Sequence, residues 1–346
     1  MKTQFLILII VPFVFGCRDT KKVETKVIEI AAIKGQQLTG VTVSKERMFV
    51  NFPRWRKGIK YSVAEIDKNN TFRAYPSQKW NTWKTDSAIK DSVFIAVQSV
   101  VASDGLLYVV DTRNPEFQGV IGAPIIFVFD LNTDEHINTY RLPNESFRTN
   151  SYINDIRIDE KRKYAFLTDS GSPGLLVLNL RTGDVKRVLD KHQSTTSEFD
   201  FLTIDGQRWN SIVHSDGIAL DIAQDELYFH ALTGYSLYAI SVEKLINGTN
   251  KEIEGALKLI CKTTAPDGMI IHGNLLYFGD LEHHKILQLD LRTKKMSVLI
   301  EGDDVAWADT FSIENNELYY TNSRIHEANG NISNLIFNVN KIVLSD

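Results

Sequence analysis

Apolar and polar positions alternate along the chain in short runs that recur as a repeat. In each repeat, a strand headed by a polar residue is followed, after a turn, by a second strand with an aromatic residue, as in Leu107-Tyr108. Alternation over four to eight residues predicts half-buried β-strands. The pairs of strands begin at Thr39 and Met48, Gln98 and Leu107, Asn154 and Ala165, Asp216 and Leu227, Asp267 and Leu276, and Asp309 and Leu318. A spacing of about 40–60 residues is typical of propeller blades.

A third apolar strand follows each pair, and a fourth, more polar strand follows in all repeats but the last. This pattern predicts an all-β fold, a six-bladed β-propeller with four-stranded antiparallel blades. The chain ends soon after the third strand of the sixth repeat, Leu335 to Val339, whereas an unassigned strand, Val27 to Ala31, precedes the first repeat. Since an open sheet edge is costly, we expect Val27 to Ala31 to close the ring as the outer strand of the sixth blade. Helical periodicity is confined to Val242 to Asn247.

The N-terminal segment has the pattern of an export signal. Lys2 precedes an apolar run from Phe5 to Phe15, and the run ends in Val14-Phe15-Gly16-Cys17. Such a run is too short to span a bilayer as a stable helix and fits the apolar region of a secretory signal. The last four residues resemble a bacterial lipobox, in which cleavage before the cysteine frees it for acylation.

These patterns predict three segments. They are a lipoprotein signal peptide over residues 1–16, a tether over residues 17–26, and a single propeller domain over residues 27–346. We therefore expect an exported protein of the bacterial cell envelope, held at the membrane only through a lipid on Cys17. An ordinary cleaved signal without a lipid is the alternative.

Charge and cysteine content exclude several classes of function. Lys and Arg number 39 against 43 Asp and Glu, for a formal charge of -4, so the chain lacks the basic footprint of a nucleic-acid-binding protein. Its two cysteines are Cys17 and Cys261, and the first lies in the signal segment. Neither a disulfide framework nor a cysteine-based zinc site can be built from them.

Polar residues head the first strands of the repeats. In a propeller the first strands line the central channel, so we expect these side chains to converge at its mouth. They are Thr39, Gln98, Asn154, Asp216, Asp267 and Asp309. A second polar set ends the second strands, which reach the same face: Asp111, Asp169, Asp280 and Asn322, with His230 close to the equivalent position in the fourth repeat. The sequence thus predicts a ligand pocket lined by Gln98, Asp111, Asp169 and Asn322.

Carboxylates that meet on one axis repel each other unless a proton or a cation lies between them. Oxygen ligands suit Ca²⁺, so Asn154, Asp216 and Asp267 are the candidate metal ligands. Alternatively, the carboxyl groups split their pKa values and act as acid and base. Asp216, Asp267 and Asp309 are then the candidate catalytic residues, together with His230 as a further acid or base.

Long connections between strands are the segments expected to cover a ligand site. They are Gln78 to Val93, Arg113 to Ala123 and Lys191 to Trp209. Aromatic residues near the same face could wall an apolar pocket, namely Phe117, Tyr152, Tyr235 and Trp307.

Several strings of residues resemble the Yellow and major royal jelly protein family in its bacterial branch. They are Gln98-Ser99-Val100-Val101, Leu107-Tyr108-Val109-Val110-Asp111-Thr112, Tyr152-Ile153-Asn154-Asp155-Ile156-Arg157-Ile158-Asp159, Thr168-Asp169-Ser170-Gly171 and Ser215-Asp216-Gly217-Ile218-Ala219-Leu220. The resemblance covers roughly residues 38–325. It implies a six-bladed propeller that binds a small aromatic amine or takes part in dopachrome conversion. Bacterial relatives are commonly labelled dopachrome tautomerase-related.

The chain is more distantly similar to the gluconolactonase and senescence-marker propellers. In those proteins a glutamate of the first blade, two asparagines and an aspartate hold a divalent cation on the axis. Asn154 and Asp267 match two of these positions, and Asp216 stands where the second asparagine would be. Thr39-Gly40 stands where the glutamate would be, so this chain lacks one ligand of the cation site of those proteins.

Three functions therefore stay open at this point. The first is binding of a small aromatic or quinonoid molecule at the top face, with tautomerase-like proton transfer. The second is a Ca²⁺-dependent, gluconolactonase-like hydrolase. The third is a non-catalytic binding propeller on the cell surface. In each case the partner is a small molecule.

The lipobox-like string makes one prediction that can be tested in cells. We expect Cys17→Ser to remove the acylation site and to move the protein from the membrane fraction to the soluble fraction. Immunoblotting of fractionated cells measures this, with Cys261→Ser as the control that should leave the distribution unchanged. A Cys17→Ser protein that stays in the membrane fraction would contradict the lipid anchor.

Overall fold

Six four-stranded antiparallel sheets surround a central axis in the computed structural model, which describes residues 26–344. The first strand of each blade lies innermost, since these strands contact their counterparts in both neighbouring blades. The predicted six-bladed β-propeller is confirmed.

The strands follow one another around the ring in chain order. β1 (Val27–Lys34) opens the described chain. Blade 1 contains β2 (Gly40–Ser44), β3 (Arg47–Asn51), β4 (Val63–Ile66) and β5 (Phe72–Ala74). Blade 2 contains β6 (Val97–Ser103), β7 (Leu106–Asp111), β8 (Ile125–Asp130) and β9 (His136–Arg141). Blade 3 contains β10 (Ile153–Asp159), β11 (Tyr164–Asp169), β12 (Gly174–Asn179) and β13 (Val185–Val188).

The second half of the ring adds a hairpin and two short helices. The hairpin consists of β14 (Leu202–Ile204) and β15 (Gln207–Trp209). Blade 4 contains β16 (Ser215–Asp221), β17 (Glu226–Ala231), β18 (Ser236–Ser241) and β19 (Lys258–Lys262), with α1 (Val242–Asn247) and α2 (Asn250–Ala256) before its last strand. Blade 5 contains β20 (Met269–His272), β21 (Leu275–Asp280), β22 (Lys285–Asp290) and β23 (Met296–Glu301). Blade 6 contains β24 (Ala308–Glu314), β25 (Glu317–Asn322) and β26 (Ile336–Val343).

The first strand of the described chain completes the last blade. β1 pairs antiparallel with β26, with Val27 opposite Ile342 and Lys34 opposite Ile336, and the strand order in blade 6 is β1, β26, β25, β24. The predicted closure of the ring is confirmed, although the strand runs three residues beyond Ala31. This pairing satisfies the backbone groups that an open edge would expose.

Apolar side chains fill the spaces between adjacent blades. Between blades 1 and 2, Phe49 packs in one cluster with Phe94 and Phe127. Across the closure, Val41 of blade 1 packs in one cluster with Val339 of blade 6. Each fully buried side chain of this size contributes about 1.5–3 kcal/mol. The interfaces between blades therefore form the core of the ring.

The helix predicted from the sequence is α1, and α2 is an addition to the prediction. A capping box between Thr249 and Glu252 begins α2. Ile253 is its one fully buried side chain and packs against blade 4. A single buried position leaves no periodic signal in the sequence.

The predicted signal peptide and most of the tether, including Cys17, lie outside the described residues. Within residues 26–344, none of the helices combines the length and the apolar character that crossing a membrane requires.

The closure of the ring predicts a specific loss of stability. Deletion of residues 1–34 removes β1 and exposes the edge of β26, so we expect a loss of several kcal/mol, out of the total of about 5–15 kcal/mol typical of domains. Thermal melting measures this loss. Deletion of residues 1–25 is the matched control, since it leaves β1 in place. Equal melting temperatures for the two truncated proteins would contradict a stabilising role of the closure.

Candidate functional site

β-Bulges in the first strands direct polar side chains towards the axis. The pairing register shifts between Val97 and Ser99, between Ile153 and Ile156, between Ser215 and Ile218, and between Ala308 and Phe311. A bulge adds one residue to a strand and re-aims its side chain. The four bulges contain Gln98, Asn154, Asp216 and Asp309, all of which line one cavity at the mouth of the channel.

Two Asp-Gly pairs mark the points where backbones of neighbouring blades meet at the axis. A Cβ atom on Gly217 would lie 2.4 Å from the carbonyl oxygen of Asp267, and one on Gly268 would lie 2.1 Å from that of Asp309. The backbone N–H of Gly268 donates a hydrogen bond to the same Asp309 oxygen at 2.6 Å. Only glycine fits such an approach. The aspartates that precede these glycines are thereby fixed next to each other.

A chain of hydrogen bonds crosses the mouth of the channel towards Asp216. Trp55 Nε1 donates to the hydroxyl oxygen of Tyr152 (2.6 Å), and that hydroxyl donates to Gln98 Oε1 (2.8 Å). Gln98 Nε2 donates to Asn154 Oδ1 (3.1 Å), and Asn154 Nδ2 donates to Asp216 Oδ2 (2.6 Å). An indole N–H can only donate, so it sets the direction of the whole chain. The chain therefore ends with a donor aimed at the Asp216 carboxyl group.

A second indole reaches the carboxyl groups from the other side of the axis. Trp307 Nε1 donates to Asp267 Oδ2 at 2.6 Å. Asp267 is also hydrogen-bonded to Asp216, which raises the pKa of Asp216 and lowers that of Asp267. Asp309 is their third neighbour, with its carboxyl oxygen accepting a hydrogen bond from the Thr310 hydroxyl at 3.2 Å.

The environment separates the roles of the three carboxyl groups. Burial raises the pKa of all three, and the neighbouring carboxylates raise the pKa of Asp216 and Asp309 further. The pKa of Asp267 rises only to about 7, because hydrogen bonds from Trp307 and Asp216 favour its anion. At neutral pH, Asp267 is thus the candidate base and Asp216 the candidate acid.

An arginine joins two blades below these carboxyl groups. Arg157 lies three residues after Asn154 along β10, and its side chain reaches from blade 3 to blade 5. Its Nη1 pairs with Asp155 Oδ2 at 2.7 Å, and its Nη2 donates to the carbonyl oxygen of Met269 in blade 5 at 2.8 Å. The carboxyl groups therefore form the polar floor of a cavity that opens at the top face.

Aromatic side chains form the walls of this cavity, whose volume is about 870 Å³. Phe117 stacks on Trp55 at 5.8 Å and on Tyr152 at 5.1 Å between ring centroids. On the opposite side, Trp209 packs edge-on against Trp307 at 5.0 Å. The cavity thus combines aromatic side chains with buried carboxyl groups, a lining that is typical of small-molecule sites.

Two of the predicted long connections contribute to the cavity. Arg113 to Ala123 provides Phe117, and Lys191 to Trp209 provides Trp209 at the end of its hairpin. The third connection, Gln78 to Val93, does not line the cavity. Its Asp91 instead forms an ion pair at 2.7 Å with the fully buried Arg113, the first residue of the connection that provides Phe117.

Three residues predicted to line the pocket lie behind its walls instead. Asp111 accepts the backbone N–H groups of Ile95 and Ala96. In the equivalent positions, Asp169 accepts the N–H of Tyr152, and Asn322 accepts the N–H of Trp307. All three side chains are buried. They hold the segments that lead into the first strands, and through Tyr152 and Trp307 they position two walls of the cavity.

The structure also places His230 away from the cavity. Its side chain is fully buried, with Nδ1 at 2.6 Å from the carbonyl oxygen of Ala231 and Nε2 at 2.8 Å from the Thr263 hydroxyl. Burial lowers its pKa to about 4. Neutral at physiological pH and bonded at both nitrogens, His230 acts as a structural residue.

Several residues of the site have no signal in the strand repeat. Of the four aromatic residues suggested by the sequence, Phe117, Tyr152 and Trp307 line the cavity, whereas the Tyr235 hydroxyl donates to Glu282. Trp55, Trp209 and Arg56 also line it and lie in connections. Three of the five tryptophans line the cavity, so the positions of the tryptophans in the sequence were the one feature that could have indicated these residues.

As they are arranged, the three candidate metal ligands do not fit a calcium ion. Asn154 turns its nitrogen towards Asp216 and its oxygen towards Gln98, whereas Ca²⁺ requires the oxygen. Among residues 26–344, no cluster of three or more His, Cys, Asp or Glu side chains has the arrangement of a metal site. Calcium binding at Asn154, Asp216 and Asp267 stays a prediction that requires the Asn154 amide to rotate.

Comparison with known sequences identifies relatives over most of the chain. The family model described as Major royal jelly protein matches residues 95–344. Protein yellow of Drosophila melanogaster is 29% identical over 147 residues, which are 40% of this chain and 27% of that protein. Protein yellow of Drosophila guanche is 28% identical over 147 residues and is covered to 26%. The chain thus spans about a quarter of the length of the curated relatives it matches.

Solved structures share the fold at low sequence identity. A luciferin-regenerating enzyme has a TM-score of 0.59 and 12% identity, covering 92% of this chain and 95% of that one. A gluconolactonase from Xanthomonas campestris has a TM-score of 0.57 and 11% identity, covering 93% and 91%. Virginiamycin B lyase from Staphylococcus aureus has a TM-score of 0.54 and 14% identity, covering 93% and 100%. These similarities show the fold alone.

The raised pKa of Asp267 predicts a pH dependence of stability. A carboxyl group whose pKa rises from 3.8 to about 7 on folding contributes stability that is fully present below pH 3.8, and this contribution is lost as the pH rises to the folded pKa of about 7. Relative to Asp267→Asn, we therefore expect wild type to lose about 2.6 kcal/mol of unfolding free energy between about pH 5 and about pH 8, nearly all of it below pH 7. Denaturant unfolding at each pH measures this difference. The exposed Asp200→Asn is the control, and parallel curves for wild type and Asp267→Asn would contradict the shift.

Proposed function

The chain belongs to the major royal jelly protein family, and we propose that its top-face cavity binds a small aromatic or quinonoid molecule and tautomerises it. The supporting observation is the contact between aromatic walls and an acid–base pair of carboxyl groups. Trp307 belongs to both, because its ring forms a wall and its N–H donates to Asp267. A ligand held in this cavity therefore lies beside the candidate base.

The proposed reaction moves one proton and needs no oxidant or reductant. Asp267, as the carboxylate, removes a proton from the bound ligand, and the electrons of the broken bond shift into the conjugated system. Asp216, as the neutral acid, donates its proton to the atom where negative charge accumulates. Return of the proton from Asp267 to Asp216 along their hydrogen bond restores the pair.

The hydrogen-bond chain from Trp55 serves this reaction by positioning. The Asn154 amide donates to Asp216 in both protonation states of the carboxyl group and stabilises its anion after proton donation. Trp307 does the same for Asp267 before proton abstraction. Each donor has a further contact, Asn154 with Gln98 through its amide oxygen and Trp307 with the ring of Trp209.

Attachment to a membrane is compatible with access to this cavity. In β1, Val27 lies opposite Ile342 and Lys34 opposite Ile336, and β26 in turn places Asn338 opposite Asn322 at the top edge. Val27 is therefore at the edge away from the cavity mouth. A lipid-anchored tether ahead of Val27, in an exported envelope protein, would leave the cavity facing solvent.

Two other functions compete with this proposal. The convergence of Asn154, Asp216 and Asp267 on one point favours a calcium-dependent, lactonase-like hydrolase, provided that the amide of Asn154 rotates. A cavity that binds its ligand without turnover would make the protein a binding propeller. Binding, turnover and calcium dependence separate the three.

The proposal predicts that binding and turnover respond differently to one substitution. We expect indole to bind the wild-type cavity and to bind Asp267→Asn with similar affinity, because the wall is unchanged. We expect tautomerisation of an aminochrome substrate to fall about 10²–10⁴-fold in Asp267→Asn and in Asp216→Asn, since each loses one partner of the proton transfer. Calorimetry measures binding, and absorbance measures turnover.

The same measurements identify the competing functions. Asp200→Asn, at an exposed carboxylate, is the control that should keep full turnover. Binding without turnover in wild type would leave a binding propeller. Heat of Ca²⁺ binding that is lost in Asp216→Ala, together with loss of turnover in a chelator, would replace the proposal by the calcium-dependent hydrolase.

A further inference from the structure

A second cavity adjoins the first at the seam where the ring closes. Its volume is about 220 Å³, and it lies between the segment after β1, the segment after β3 and the segment before β26. Arg56 and Gln37 line both cavities, so they form the junction between them. Lys57 lines the second cavity, and no acidic residue of the described chain does.

Arg56 presents a positive charge at this junction without an acidic partner. Its Nη1 donates to Gln37 Oε1 at 2.7 Å, and its Nη2 donates to the carbonyl oxygen of Ala328 at 3.0 Å. Burial lowers its pKa, and no carboxylate of the described residues offsets that effect. By contrast, Arg187 pairs with Asp169 and Asp190, and Arg157 pairs with Asp155.

A half-buried guanidinium without an acidic partner is suited to bind an anion from the ligand. Partial burial removes water from the charge, and an incoming anion compensates for this loss. Arginine has five N–H donors in a planar fork that matches a carboxylate or a phosphate. Gln37 and Ala328 accept hydrogen bonds from two of these five N–H groups. These bonds hold the guanidinium in place and leave the other N–H groups for a ligand.

The anion site and the carboxyl floor belong to one binding space. Gln37, which accepts from Arg56, donates through Nε2 to the carbonyl oxygen of Ser323 at 2.9 Å. Ser323 follows β25 directly, and Arg56, Gln37 and Asp309 all line the first cavity. A ligand in this cavity can therefore reach both the guanidinium and the carboxyl floor.

From this arrangement we propose that the ligand carries an anionic group, a carboxylate or a phosphate, which Arg56 binds at the junction of the two cavities. The substrate class is then aromatic acids rather than neutral aromatics or simple amines. This inference rests on the proposed aromatic-binding function and adds a specificity-determining residue to it. Burial and the neighbouring carboxylates raise the pKa of Asp216 and of Asp309, which reduces the negative charge that such an anion would meet.

The experiment compares two probes that differ only in their charged group. Calorimetry at neutral pH and constant ionic strength measures the affinity of the purified protein for indole, for indole-3-acetate and for inorganic phosphate. We expect indole-3-acetate to bind at least about tenfold more tightly than indole, as charge-assisted hydrogen bonds imply. Arg56→Gln should abolish this preference and leave the affinity for indole unchanged.

Two further variants separate charge, geometry and folding. Arg56→Lys keeps the charge without the planar fork and should retain part of the preference. Arg181→Gln removes a charge from the opposite face, in the turn after β12, and should keep all of it. Melting temperatures establish that each variant is folded.

Each outcome decides between the proposals. A preference for the acid that depends on Arg56 supports the inference. Equal binding of the two aromatic probes, or a preference that survives in Arg56→Gln, overturns the inference and leaves the aromatic pocket standing. Failure of both probes to bind overturns the proposed function. In that case the anion site is tested with inorganic phosphate alone. Phosphate binding that is lost in Arg56→Gln supports the anion site, and phosphate binding that does not depend on Arg56, or no phosphate binding, overturns it.

Discussion

Hydrogen bonds between neighbouring blades at the axis are the constraint on which both the ring and the site depend. The carbonyl oxygen of Gln98 accepts from Asn51 of blade 1, that of Asp216 accepts from Thr168 of blade 3, and that of Asp309 accepts from Gly268 of blade 5. Each bond joins the backbone of one axial residue to an adjacent blade. Because a buried carbonyl without a partner is costly, these bonds set how closely the blades approach. The side chains of the same residues are thereby held at fixed separations.

Because their spacing is fixed, the carboxyl groups at the axis repel each other in the folded protein when they are ionised. Three carboxyl groups lie close together out of water, and protonation relieves their repulsion. The three pKa values are not raised equally, because the indole N–H of Trp307 donates only to Asp267 and favours its anion. Arg56, at the edge of the same cavity, is a charge of opposite sign without an acidic partner among the described residues. Perturbed groups of this kind, gathered in an aromatic cavity, are typical of a functional site and not of a structural core.

The sequence predicted the architecture correctly, but it did not predict which polar side chains are exposed to the cavity and which are buried behind its walls. The strand heads Asp216 and Asp267, each followed by glycine, lie at the axis, whereas Asp104 and Gly105 form a hairpin turn with positive φ angles of 49° and 77°. Polar residues at the ends of the second strands were assigned to the correct face, yet Asp111 and Asp169 point into backbone N–H groups behind the wall. A repeat pattern specifies the face on which a residue lies. It does not specify whether the side chain turns towards the cavity or away from it.

The sequence by itself determined the six blades, the closing strand and the polar set on the axis, because strand alternation and turn chemistry act between residues that are close in the chain. Only the tertiary structure decided which of these groups interact. The bond between Asp216 and Asp267, the donation from Trp307 and the placement of Trp55, Trp209 and Arg56 all join residues from different blades or connections. Burial and proximity set the charges of such groups, and both arise only when distant segments pack together.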